Sequence, residues 1–407
     1  MIRLLHLSDV HINAEFSMRS VNTRSLLKNA MRDAFSNAIQ FAIDHKVDVV
    51  LIAGDLIDFE PISFQMQAFI KSKIQRCIDE KIHFMLCTGN HDYQGYGFLK
   101  VFFDNYYFQI FSEDMPLAKE IIAKDNSLFR VIGIGHNCKG ETRNLIKTFP
   151  VKNESQLLTI GIAHANVLSN TTSDVDLVYL PTQLDDIKKL NYDYFALGHV
   201  HTRMFYSDKI AYSGCIQGQH INESGPKGGI FCEIYDTGIV SKAVNFHVIE
   251  FQSLTIELNQ DIIEMSHLVT YIENRVQDVL VANQVDESRL ILRVVMKGAT
   301  QLYSKLMIED NILFLEQDIV DRKGIVACEI VLDSITPMIL EDDIVKMDNV
   351  YSLAFQLIEN IERDNALINM LSELDGLVGR SKMELFETIV SNKNNLKNEL
   401  KRRMVKE

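Results

Sequence analysis

Gly89-Asn90-His91-Asp92 directly follows the apolar, β-rich run Ile82 to Thr88. The run has the length and composition of a buried strand, and the Gly-Asn pair after it is a turn signal. Polar side chains in a turn at a strand's end suit the carboxyl edge of an α/β sheet, where such folds place their sites. Asn90 offers a neutral oxygen to a hard cation, and His91 an imidazole able to protonate a leaving oxygen. Asp92 offers a carboxylate that could orient that imidazole.

Four more blocks repeat this placement. Asp9 and His11 follow Ile2 to Leu7, Asp55 follows Val47 to Ala53, His164 ends Leu157 to His164, and His199 and His201 follow Tyr192 to Gly198. Taken singly, most have a plain structural reading: a capping aspartate, a turn aspartate, a satisfied histidine at the end of an apolar strand. Asp58 reads as a supporting or helix-capping residue. Five such turns, all at strand ends and all carrying oxygen or nitrogen ligands, point instead to one metal centre. Ligands without thiolate favour manganese, iron, zinc or magnesium over a structural zinc. Two such ions neutralise a phosphate ester and activate a water. The other histidines, His6, His45, His83, His136, His220, His247 and His267, receive no ligand role; His220, close behind the Gly198–His201 block, comes nearest to one.

The length of 407 residues suggests two or three domains. A formal net charge of −14 argues against a sequence-independent basic surface, so a nucleic-acid function would need a local basic strip, a basic partner or bound cations. The six cysteines are scattered singly and read as reduced thiols. No apolar run approaches the roughly 20 residues of a membrane span, and the start lacks the shape of a signal peptide. The expected location is the cytoplasm.

Strand-like runs alternate with helical patterns over the first ~250 residues, among them the stripe Leu26, Leu27, Ala30, Met31, Ala34, Ala38, Phe41 and a helix over Gln65 to Glu80. Such alternation predicts sheets covered by helices on both outer faces. Gly228 to Tyr235 and Ala243 to Phe251 are expected to close this domain, at 1–252. A small α/β unit is expected over 253–340, with helices at Asp261 to Ala282 and Gln301 to Glu309 and strands at Arg289 to Met296 and Gly324 to Leu332. The region 341–407 reads as helical, with one apolar stripe from Val350 to Ile361 and another from Met383 to Val390.

The ordered blocks D-x-H, GD, GNHD, H and GHxH, over about residues 2 to 215, resemble the calcineurin-like metallophosphoesterase superfamily. The resemblance implies an α/β fold, a four-layer α-β-β-α sandwich. It places Asp9, His11 and His201 on one divalent ion and Asn90, His164 and His199 on a second. Asp55 would bridge them, and His91, with Asp92, would serve the leaving group. LLHLSDVHI at the start and YSGCIQGQHINESGPKGG at 212–229 resemble DNA-repair exonucleases of the SbcD type, relatives of the eukaryotic Mre-eleven nuclease. Glu223, Gly225 and Lys227 match that group's E-x-G-x-K stretch, whereas Ser213-Gly214-Cys215 departs from its usual Pro-Gly-Ser. The subfamily implies manganese, a DNA substrate, a homodimer formed through helices of the catalytic domain, and a capping domain. It also implies C-terminal helices that dock an SMC-like coiled-coil ATPase. The chain has no Walker A sequence, so that ATPase would be another chain. Two other readings remain: a phosphodiesterase or phosphatase for small molecules such as cyclic nucleotides, and a binding subunit with vestigial chemistry.

Overall fold

The structure, a computed structural model, describes residues 1–16, 21–58, 62–94, 96–153, 157–168, 179–259, 261–338, 344–345, 350–360 and 390–404. The chain divides into two compact units, Met1–Gln252 with Val285–Ile291, and Ser253–Gln284 with Leu292–Glu407.

The first unit opens β1 (Ile2–Leu7), α1 (Val21–Asp44), β2 (Val49–Ala53), α2 (Phe64–Asp79), β3 (His83–Cys87), α3 (Gly97–Lys100) and β4 (Phe108–Phe111). It continues with β5 (Leu117–Ile122), β6 (Leu128–Gly133), β7 (Leu158–His164), β8 (Asn166–Val167), β9 (Pro181–Thr182), α4 (Leu184–Lys189) and β10 (Tyr194–Gly198). It closes on β11 (Met204–Ser207), β12 (Ile210–Tyr212), β13 (Gly228–Tyr235) and β14 (Gly238–Asn245). Two six-stranded sheets result, ordered β14-β13-β1-β2-β3-β4 and β11-β12-β10-β7-β6-β5. The strands β1 to β4 run parallel, as do β6, β7, β10 and β12, so their carboxyl ends share one edge within each sheet.

The sheets face each other. Leu4, Val49, Leu51, Met85 and Cys87 from the first pack with Phe129, Val131, Ile160, Ile162, Tyr194 and Ala196 from the second. Strand period two sends the alternate residues outward. In the second sheet Ile132, Phe195 and Leu197 pack under Leu145, Ile146 and Ile187. α1 buries Leu27, Ala30, Met31, Ala34, Phe35, Ala38, Ile39 and Ala42 at spacings of three and four. His6 interrupts the apolar pattern of β1 yet lies fully buried. Its Nδ1 accepts from the Tyr194 hydroxyl at 2.9 Å and its Nε2–H donates to the Leu197 carbonyl at 3.1 Å. Burial pushes its pKa down to about 3, so the ring is neutral.

Two expectations fail here. The run Ala243 to Phe251 is not one strand. β14 ends at Asn245, and Phe246 and His247 turn off to donate to the Lys227 carbonyl. A new strand, β15 (Glu250–Leu258), begins beyond them and pairs in another sheet. The predicted helix Gln301 to Glu309 is broken as well, because Ile308 is extended.

The second unit contains α5 (Met265–Asn283), β16 (Leu290–Thr300), α6 (Tyr303–Leu306), α7 (Glu309–Lys323), β17 (Ala327–Pro337), α8 (Val350–Glu359) and α9 (Lys393–Met404). β15, β16 and β17 form a three-stranded sheet in that order. α7 starts with Glu309 and Asp310, ends with Arg322 and Lys323, and is capped by left-handed Gly324, an arrangement that suits the helix dipole. Ile361 and the expected stripe from Met383 to Ile389 lie outside the described residues. Among the described residues no helix is long and apolar enough to cross a membrane.

Candidate metal centre

The loops after β1 and β2 are bonded to each other through the backbone. Asp9 N–H donates to Gly54 O at 3.1 Å, His11 N–H to Asp55 O at 3.0 Å, and Ile12 N–H to Leu56 O at 3.1 Å. Within this brace Asp9, His11 and Asp55 hold φ values of 49°, 44° and 52°, and His199 holds 105°. Left-handed backbone at non-glycine residues is costly and marks sites where the surroundings dictate side-chain direction. The second sheet closes in through Gly198, where a Cβ would fall 1.7 Å from the Ala53 carbonyl oxygen. Only glycine permits that approach, and it brings the end of β10 against the end of β2.

All seven residues expected as ligands converge. Asp9, His11 and His201 present ligand atoms within 4.8 Å of one another, and so do Asp9, Asp55 and His164. Asn90 Oδ1 lies 3.0 Å from His164 Nε2 and 3.3 Å from His199 Nδ1. His164 Nε2 also lies 3.3 Å from Asp55 Oδ2. His91 stands at the rim, its side chain one-third exposed.

The donor set fits divalent cations. His164 Nδ1–H is committed to the Ala53 carbonyl at 2.9 Å, so its Nε2 is the ring atom that faces two acceptors, Asn90 Oδ1 and Asp55 Oδ2, through a proton that a bound cation would replace. His201 is arranged alike: Nδ1–H donates to Glu223 Oε1 at 2.5 Å and Nε2 lies 3.7 Å from Asp9 Oδ1. Both ring nitrogens of His11 are buried without a hydrogen bond of good geometry. Asp9 and Asp55 are almost wholly buried, and among the described residues their ion-pair partners are imidazoles, not lysine or arginine. Converging acceptors and buried carboxylates without a cationic side chain are what a bound cation satisfies.

The ionisation of the site follows. Burial alone would raise the Asp55 carboxyl, but His164, His11 and His91 outweigh it and hold the group well below the usual carboxylate range. Burial would lower His164 and His201, but Asp55 raises the first to about 9, and Glu223 with Asp9 raises the second to about 9. Burial carries His199 down to about 4, with His164 adding to the effect.

One expected contact is overturned. Asp92 does not orient His91. Its carboxylate turns inward, accepting from Gly89 N–H at 2.6 Å, Leu56 N–H at 2.8 Å and the Tyr96 hydroxyl. The turn that aims Asn90 at the centre directs Asp92 beneath it, where it ties the third strand's loop to the second's. The partner of His91 is Asp58, whose Oδ1 lies 2.6 Å from His91 Nδ1 and 3.3 Å from His11 Nδ1. Asp58 had only its nearness to Asp55 to mark it in the sequence. Glu223 is the other residue whose part in the site went unread, and no spacing rule links it to His201. The Tyr179 ring, 4.8 Å from that of His199, had no signal at all.

Residues 2–203 match the family described as calcineurin-like phosphoesterase. Among curated proteins, an uncharacterized metallophosphoesterase of Bacillus subtilis, YhaO, is 24% identical over 304 residues, 73% of this chain and 72% of that one. The DNA double-strand break repair protein Mre11 of Sulfolobus acidocaldarius is 24% identical over 318 residues, covering 74% of this chain and 76% of its own. Among solved structures, a dimetal phosphatase from Danio rerio aligns with 60% of this chain and 96% of its own at 11% identity and a TM-score of 0.37.

Proposed function

The chain carries a calcineurin-like phosphoesterase domain in residues 2–203 and is a metal-dependent phosphoesterase; on that premise we propose that it is a two-metal DNA phosphodiesterase. One observation carries the choice of DNA. The likeness to the Mre11 of Sulfolobus acidocaldarius, a DNA double-strand break repair protein, runs over 318 residues and so extends well past the phosphoesterase residues. A likeness confined to the metal site would speak only for the chemistry.

In this reading Asp9, His11 and His201 would hold one ion and Asn90, His164 and His199 the other, with Asp55 available to both. Two divalent ions, manganese in our proposal, supply charge neutralisation of the scissile phosphate and an activated water when bound. His91 protonates the leaving sugar oxygen through Nε2, its Nδ1–H held by Asp58 at 2.6 Å. The buried carboxylates fix the centre, and the His91 imidazole stands at its rim, where substrate would meet it.

The remaining parts of the proposal concern partners. Residues 253–340 act as a capping domain and residues 341–407 as a docking region for an SMC-like coiled-coil ATPase in trans, with the nuclease working as a cytoplasmic homodimer. Val350, Leu353 and Leu357 of α8 are exposed at spacings of three and four, which supports the docking reading. The test is a panel of single- and double-stranded DNA against cyclic nucleotides and p-nitrophenyl esters in manganese. DNA cleavage is expected; turnover of the small esters alone would overturn the nuclease reading and leave the phosphoesterase intact.

A further inference from the structure

The segment from Ser213 to Glu223 lies beside the centre, where Cys215 and Glu223 bring their side-chain atoms within 4.8 Å of a His201 nitrogen. Gln217 turns away to Val248 and Ile249, but among the described residues the segment's bonds to the centre reach one half of it. Ser213 Oγ is 2.8 Å from Ser8 Oγ, and Ser8 Oγ–H donates to Asp9 Oδ2 at 2.5 Å. Cys215 N–H donates to the His201 carbonyl at 3.1 Å. Glu223 Oε1 accepts His201 Nδ1–H at 2.5 Å.

We propose that Ser213–Glu223 is a positioning segment for a single metal, the one held by Asp9, His11 and His201, with Glu223 as its principal residue. The proposal rests on the two-site reading above. Glu223 is itself fixed. It is 8% exposed, its Oε2 accepts from Gln219 N–H at 2.7 Å, and the Cys215 thiol lies 3.8 Å away. A carboxylate held at both oxygens defines the ring orientation of His201, keeps its proton on Nδ1 and leaves Nε2 for the ion. The exposed His220, with Nε2 3.5 Å from Glu223 Oε1, is the only other imidazole on this carboxylate among the described residues. The second ligand set has a different support. His164 is held by Ala53 O, and the His136 Nε2–H donates to the His164 carbonyl at 2.8 Å. Part of the stretch that resembles the SbcD group is therefore bonded to the Asp9 and His201 side of the centre.

The consequence is site-selective. Loss of a carboxylate that orients a ligating histidine weakens metal affinity by about 10–100-fold. The experiment is manganese titration of the full chain after chelation, followed by calorimetry and by electron paramagnetic resonance. Wild type is expected to take up two ions and give the exchange-coupled spectrum of an adjacent pair. Glu223→Ala is expected to bind one ion with wild-type affinity and the other about 10–100-fold more weakly, giving the spectrum of an isolated ion at intermediate manganese. Glu223→Gln, whose amide oxygen can still accept the Nδ1 proton, should recover part of the loss. Ser213→Ala should weaken the same ion by less. If Glu223→Ala does not fold, those two variants carry the comparison. Two ions bound with wild-type affinities in the variants, or both weakened equally, would overturn the proposal while leaving the two-metal reading standing. Fewer than two ions in wild type would overturn that reading and the proposal with it.

Discussion

Two carboxylates flank His91, and the structure gives them opposite duties that a pair of alanine variants separates. Asp92 is 3% exposed and accepts two short backbone N–H bonds, from Gly89 at 2.6 Å and Leu56 at 2.8 Å, and a longer one from Ile57 at 3.5 Å, besides the buried Tyr96 hydroxyl. In Asp92→Ala those two N–H groups lose their acceptor inside the protein, at about 1–3 kcal/mol each. Part of that is offset, because burial and the neighbouring Asp55 charge push the Asp92 carboxyl up to about 6, so the ionised group is itself disfavoured in the fold. A net loss of about 2–4 kcal/mol is expected, a large share of the roughly 5–15 kcal/mol of a typical domain. Asp58, by contrast, is partly exposed, and among the described residues its carboxylate meets the His11 and His91 rings and no backbone donor. Asp58→Ala should change stability by less than about 1 kcal/mol while removing the carboxylate behind the His91 ring and lowering DNA cleavage by at least about tenfold, within the range of general acid catalysis. Urea unfolding in chelator, where metal linkage is absent, measures the first quantity, and DNA hydrolysis in manganese the second. Wild-type stability in Asp92→Ala, or an equal loss of stability in Asp58→Ala, would refute the assignment.

His91→Ala should keep both metal ions by calorimetry. It should lose about 10²–10⁴ in rate on DNA but little on a p-nitrophenyl phosphodiester, whose leaving group needs no proton; equal losses on both substrates would exclude an acid role. Gly54→Ala places a Cβ 2.2 Å from His164 Nδ1 at a φ of +87°, so His164 must leave the Ala53 carbonyl; weaker binding of one ion is expected, and unchanged manganese binding would count against the cradle. His6 sets an acid limit. With a folded pKa of about 3 against 6.5 unfolded, the unfolded chain takes up the proton first as pH falls. The contribution is complete above pH 6.5 and is lost below it by up to about 1.4 kcal/mol per pH unit until the folded ring titrates near 3. Urea unfolding at pH 7 and pH 5 should show a shallower pH dependence in His6→Gln than in wild type, and parallel slopes would show that another group is responsible.

The strands that carry the centre were legible because each is buried on both faces and ends in a turn. β2 and β3 are buried at every residue, so they appear as unbroken apolar runs. Edge strands gave no such signal. β5 is largely exposed and is interrupted by Lys119 and Glu120, and β11 is only four residues long, so neither forms a sustained buried run. The break at Ile308 was hidden for another reason: its side chain suits a helix, and only the backbone there is extended. Ligand types at strand ends could be read without knowing the sheets. What those ligands lean on could not, because Asp92 is adjacent to His91 in the chain and turned away from it in space, while Glu223 is distant from His201 in the chain and bonded to it.

That difference has a physical origin in the backbone of the site. Asp9, His11, Asp55 and His199 all adopt positive φ. Each such residue costs about 1–3 kcal/mol and persists only where the surroundings over-determine it. Here the surroundings are the paired loops after β1 and β2, the Gly198 contact with Ala53, and the His199 N–H bonded to both oxygens of Asp9 at 3.2 Å. Apart from the Asp9 carboxylate, these contacts are made by main-chain atoms. The directions of the side chains are therefore imposed by main-chain bonds between strand ends that meet only in the folded molecule. A sequence pattern can name the side chains at such a place, but the angle at which each enters the centre belongs to the paired backbone and to the carboxylates, Asp58 and Glu223, that hold the imidazoles from behind.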